Sequence, residues 1–91
     1  MDSELEEKME QKITEVIENS DEISQIVKYL DNFSKKYNSF GYGIAIGRLY
    51  NSFHYQCRRI LKRNPTKEEF SEFLEILSKR QNEILEVFKL S

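Results

Sequence analysis

Apolar residues recur at helical spacing along most of this chain. Leu5, Met9, Ile13, Val16 and Ile17 stand one turn apart with acids filling the outside, which predicts an amphipathic helix over about residues 4–18. Ser3 with Glu6 three residues later fits a capping box at its start. Asn19 and Ser20 offer a break and a new N-cap, with Glu22 placed to close a second box from Asn19. Ile23, Ile26, Val27, Leu30, Phe33 and Tyr37 then form the stripe of a helix over roughly 21–38. Neither Gly nor Pro enforces a stop at the junction, so the pattern fits two helices or one long bent one.

The stretch from Asn38 to Gly43 is the clearest loop signal, because Gly41 and Gly43 can take positive φ at no steric cost. A third helix is expected over about 44–63, with Ile46, Leu49, Tyr50, Phe53, Cys57, Ile60 and Leu61 on one face. Asn64-Pro65-Thr66 ends it, since Pro disfavours the α region for the residue before it. Thr66 with Glu69 makes another capping box, opening a fourth helix of roughly 67–89 whose stripe is Phe70, Phe73, Leu74, Leu77, Ile84, Leu85 and Phe88. These stripes predict an all-α fold, a small antiparallel helical bundle of three to four helices in a single domain over 1–91. Each large side chain buried contributes about 1.5–3 kcal/mol, so the core is modest for 91 residues. Association through the apolar strip of the first helix would supplement it.

Composition first suggests little, for 14 basic residues against 16 acidic ones give a net charge of −2. The distribution says more. Residues 1–22 hold nine acids against Lys8 and Lys12, a local charge of −7. From 32 to 67 there is no acid at all, while eight Lys and Arg give +8, and seven of the eleven aromatics fall in the same stretch. A uniformly basic protein that coats nucleic acid by bulk charge is excluded; a basic face is not. No apolar run approaches the roughly 20 residues of a membrane span. The acidic start lacks the features of a signal peptide, and one Cys cannot form an internal disulfide, so a cytoplasmic, reducing setting is expected.

On the third helix the side opposite the core carries Arg48, Ser52, Tyr55, Arg59 and Lys62, flanked by Asn51 and Arg58. Guanidiniums bind phosphates or carboxylates bidentately, and Tyr adds a flat contact surface. A nucleic-acid backbone or an acidic protein groove could use such a stripe, and so could plain solvent. Arg48, Tyr55, Arg58, Arg59, Lys62 and Arg63 are therefore the candidate binding residues. The acidic first helix has three options: to dock across this basic surface, to meet a basic partner, or to stand solvated. Tyr29, Tyr42 and Tyr55 fall off the main stripes and suit exposed contact.

His54 and Cys57 have the spacing of half a metal site, but no other His or Cys completes it. A buried thiol and a boundary imidazole account for both, and no third group orients a Cys-His nucleophile. Gly41-x-Gly43-x-x-x-Gly47 lacks the Lys-Ser/Thr ending of a phosphate loop, so close helix packing by Gly43 and Gly47 is preferred. No catalytic residue, metal or cofactor is expected.

The run Phe40-Gly41-Tyr42-Gly43-Ile44-Ala45-Ile46-Gly47-Arg48-Leu49-Tyr50-Asn51-Ser52-Phe53-His54-Tyr55-Gln56-Cys57-Arg58-Arg59-Ile60-Leu61, continuing into Asn64-Pro65-Thr66, resembles that of small helical proteins from thermoacidophilic archaea. In particular it resembles the small helical accessory subunit of the archaeal B-family replicative DNA polymerase holoenzyme, over about 40–91. The resemblance implies a non-catalytic protein that binds the polymerase near its DNA and supports synthesis. Two other readings of the residues stand beside it: a free-standing nucleic-acid binder, and a homo-oligomeric helical adaptor using the first helix's apolar stripe.

Overall fold

The computed structural model describes residues 1–30 and 37–88, and in them four helices: α1 (Ser3–Glu18), α2 (Asp21–Leu30), α3 (Tyr37–Leu61) and α4 (Lys67–Phe88). The all-α bundle expected from the stripes is the fold observed. At about 1.5 Å per residue α3 is about 38 Å long, nearly the whole 40 Å long axis of the molecule. It packs against each of the other three helices, and α1 also packs against α4. Tyr50 of α3 meets Phe70 of α4 across a short turn, so these two helices run in opposite directions. The ammonium of Met1 pairs with Glu72, and Arg80 reaches Glu10 and Thr14, so α1 runs parallel to α4 and likewise opposes α3.

The core draws on every helix, with Leu5, Met9 and Ile13 of α1, Ile23 and Val27 of α2, Leu49 and Phe53 of α3, and Phe73, Ile84 and Phe88 of α4 all buried. The apolar stripe of α1 is thus consumed inside the chain. The surface on which the homo-oligomeric adaptor was to be built is not available. α1 and α2 are separate helices. Asn19 closes α1, donating its backbone N–H and its side-chain amide to the Glu15 carbonyl (2.9 and 3.0 Å), instead of opening a box toward Glu22. At the other end of α1 the cap is Asp2, not Ser3: its carboxylate accepts from the Leu5 N–H at 2.9 Å.

The largest departure from expectation is the start of α3. Asn38 to Gly43, read as a loop, is helix, and no described glycine has positive φ. The expected second helix of 21–38 is described only as far as Leu30; 31–36 lie outside the described residues, and Tyr37 and Asn38 belong to α3. A helical Gly costs about 1 kcal/mol against Ala, a penalty that packing can offset where the lack of a Cβ is used. Gly41 is buried against the ring of Phe88.

The buried line on α3 is Gly41, Ala45, Leu49, Phe53 and Cys57, four residues apart throughout. Each such step advances about 40° around the helix, so the line winds around α3, meeting α4 at Gly41–Phe88 and again at Phe53–Phe73. That winding leaves Tyr50 45% exposed, and on α4 it leaves Phe70 and Leu74 38% and 47% exposed, although periodicity assigned all three to the core. Ile76 takes a buried place instead, facing the side of α4 that α1 covers. α3 ends at Leu61, two residues earlier than expected, with Lys62 in the left-handed region at φ 61°. The Thr66–Glu69 capping box forms as expected, with both reciprocal bonds (3.1 and 2.9 Å) in place.

Candidate nucleic-acid interface

The outward face of α3 follows from the winding of its buried line. Residues at Gly41, Ala45, Leu49 and Phe53 turn one side inward, which points Arg48, Tyr55, Arg58 and Arg59 to solvent; these four and Lys62, just past the helix end, are exposed, Tyr55 by 58%. Tyr55, Arg58 and Arg59 lie in the last two turns of α3, and Lys62 follows directly after its end. Arg58 and Arg59 also sit at the negative end of the helix dipole, which favours cations there. Arg59 donates from Nε to the buried Gln56 Oε1 at 2.9 Å, which fixes the near end of its guanidinium. Among the described residues Arg58 and Lys62 make no ion pair.

Arg63 and Arg48 differ from this group. Arg63 grips Glu69 with both terminal nitrogens, at 2.7 and 3.0 Å, and is tied up inside the chain. The Arg63 guanidinium and the Thr66 N–H hold the Glu69 carboxyl down at about 2, well below the usual carboxylate range. Arg48 stands two turns from the cluster in a cleft of about 600 Å³ shared with Lys12, Glu15, Asp21 and Glu22. Its neighbours are mostly acidic, so its field is partly cancelled.

The end of α1 shares the cleft with Arg48 through Lys12, Glu15 and Asn19, and α1 docks by its apolar stripe. Arg80 fastens it to α4, donating to the Glu10 carbonyl (2.9 Å) and Thr14 Oγ1 (3.0 Å) while its other arm holds Glu83 (2.8 Å). Nothing in the spacing of α4 marks Arg80 for this; the signal was absent because its partners lie 66 and 70 residues away.

His54 and Cys57 are placed as a boundary imidazole and a buried thiol. His54 packs edge-on to Tyr50 (4.8 Å between centroids) and Phe53 (5.8 Å). The Cys57 side chain is inaccessible, and burial pushes its thiol up, away from the nucleophilic thiolate. Among the described residues no three His, Cys, Asp or Glu side chains gather as a metal site, and no helix is long and apolar enough to cross a membrane. Of the three off-stripe tyrosines, Tyr29 (88%) and Tyr55 (58%) are exposed, while Tyr42 is half-buried.

What the arrangement offers chemically is an exposed group of three cations and one aromatic ring at the C-terminal end of α3, suited to meet a polyanion. Comparison of the chain with known protein families, with curated proteins and with solved structures gives no match.

Proposed function

We propose that this chain is a non-catalytic accessory protein in DNA replication, which binds a DNA polymerase and touches the DNA backbone through the last turns of α3 and the residue that follows them. The observation that carries the DNA contact is the exposed set Tyr55, Arg58, Arg59 and Lys62, with no acid between 32 and 67 to oppose it. The polymerase rests on the resemblance of about 40–91 to the accessory subunit of the archaeal holoenzyme. Cations spaced along one helix face neutralise successive phosphates and release counterions, without reading sequence. Tyr55 adds a ring on which an unpaired base can stack.

Two measurements test the two halves. Fluorescence anisotropy with primer–template DNA should give an affinity that falls with salt at a slope of about −3, as expected for three phosphate contacts. Charge reversal at Arg58→Glu and Arg59→Glu should abolish it; undetectable binding by the unaltered protein at low salt would end the DNA half. Co-purification of tagged protein from its native host should retain a DNA polymerase, and its absence among specific partners would end the other.

A further inference from the structure

Tyr55 stands among the cations at the end of α3 with its ring uncommitted. At about 100° per residue, Arg58 and Arg59 fall to either side of it one turn further along, and Lys62 follows past the helix end. Another tyrosine of α3, Tyr50, is engaged, packing edge-on to His54 and to Phe70. Tyr55 makes no ring contact and no hydrogen bond among the described residues. Arg59 beside it is held in place: Gln56, 5% exposed, accepts from its Nε at 2.9 Å, which leaves the terminal nitrogens of the guanidinium free for another partner.

Cations alone do not choose between a duplex and a single strand, because both carry phosphates. A ring does. In a duplex each base face is covered by its neighbours, so a surface ring reaches only sugar and phosphate unless it forces the stack open. An unpaired strand offers free base faces, and stacking one on an aromatic side chain tightens binding by about five- to hundredfold. Counterion release works the other way but is the smaller effect. Three phosphate contacts give a salt slope of about −2.1 on a single strand against about −2.7 on a duplex, which favours the duplex by about threefold at physiological salt.

We propose that the end of α3 takes an unpaired nucleic-acid strand in preference to a duplex, with one base stacked on Tyr55 and the adjoining phosphates paired with Arg58, Arg59 and Lys62. The inference rests on the DNA contact proposed above and names its substrate class; it does not depend on the polymerase. From Tyr55 to Lys62 is about 10 Å along the axis, the length of about three stacked nucleotides. So short a contact, made by stacking and charge, tolerates any sequence.

The test uses the full chain and three labelled probes of equal length: a pyrimidine single strand, the same strand in a duplex, and an abasic strand that keeps the phosphates without the bases. At physiological salt the single strand should bind tighter than the other two, and its advantage over the duplex should grow as salt is raised, because the duplex slope is steeper. Tyr55→Ala should weaken the single strand by about five- to hundredfold and leave the duplex and the abasic strand within about twofold. Tyr55→Phe keeps the ring and should keep the preference. The chain contains no Trp, so Tyr55→Trp places a lone reporter whose emission the single strand should quench and the abasic strand should not. Equal loss on all three probes in Tyr55→Ala, no loss on any, or unquenched emission would overturn the proposal and leave the DNA contact through the cations standing. Binding of no probe by the unaltered protein at low salt would end both.

Discussion

Gly41 lies so close to Phe88 that a Cβ on it would fall 2.8 Å from the ring's Cδ1. Phe88 is 1% exposed and cannot swing away, so the missing methyl is what lets the end of α4 seat on the start of α3. Gly43 and Gly47, on the same helix, have open space where a Cβ would stand. Gly41→Ala should therefore destabilise the protein by about 1–3 kcal/mol through overpacking, despite its better helix propensity. Gly43→Ala and Gly47→Ala should each stabilise it by about 0.5–1 kcal/mol. Urea unfolding of the three variants checks the contrast; three equal effects would contradict the packing described.

This same pair explains why the start of α3 was illegible in the sequence. Two glycines among Asn, Ser and Tyr carry the local signature of a loop, and the contact that outweighs it lies 47 residues away in Phe88. The helical stripes and the Thr66–Glu69 box were legible because they depend on neighbours within four residues, whereas the pattern at Asn19–Ser20 fitted two helices or one bent one until the fold separated α1 from α2. Periodicity found Leu49, Phe53 and Cys57 but placed Tyr50, Phe70 and Leu74 inside, since a stripe read on one helix does not reveal which arc its partners cover. The cationic group was legible as composition. That Arg63 is engaged, and that Arg48 faces carboxylates, needed the fold.

Glu69 links the capping box to acid stability. Its carboxyl sits at about 2 when folded, held there by Arg63 and then by the Thr66 N–H, against 4.5 as the ordinary value. A depressed carboxyl contributes stability that is present in full above about 4.5 and lost as pH falls toward 2. Because Arg63 is 48% exposed, solvent screening holds the contribution to about 1–2 kcal/mol. Glu69→Gln should lower Tm at neutral pH by about 5–10 °C and flatten the decline between pH 4.5 and 2. Thermal melts of both proteins across that range check it, and parallel pH curves would refute the assignment.

Lys62 sets stability against the proposed DNA contact. Its left-handed backbone, φ 61°, costs a residue with a Cβ about 1–2 kcal/mol, and Gly takes that conformation freely. After the entropy Gly loses on folding, Lys62→Gly should stabilise the protein by about 0.5–1 kcal/mol. The same change removes one cation from the exposed group, so the slope of log affinity for DNA against log salt should shrink by about 1. Chemical denaturation and a salt titration of anisotropy read the two effects separately.

Arg58, Arg59 and Arg63 stand within six positions of one another, yet the fold divides their tasks. Arg63 is spent on Glu69 through two hydrogen bonds, while Arg58 and Arg59 present their charge to solvent. Removing Arg63 strands a buried carboxylate, so Arg63→Ala should cost about 1–2 kcal/mol of stability and leave the salt slope for DNA unchanged. Arg58→Ala and Arg59→Ala alter exposed side chains and should stay within about 0.5 kcal/mol of the parent, each reducing the slope by about 1. Gln56, which holds Arg59 at 2.9 Å, should behave as a milder version of Arg59 in the same assay, because its loss frees the guanidinium without removing its charge. Should Arg63→Ala weaken DNA binding as much as Arg58→Ala while melting like the parent, Arg63 would belong with the exposed cations, and its pairing with Glu69 would be too weak to withhold it.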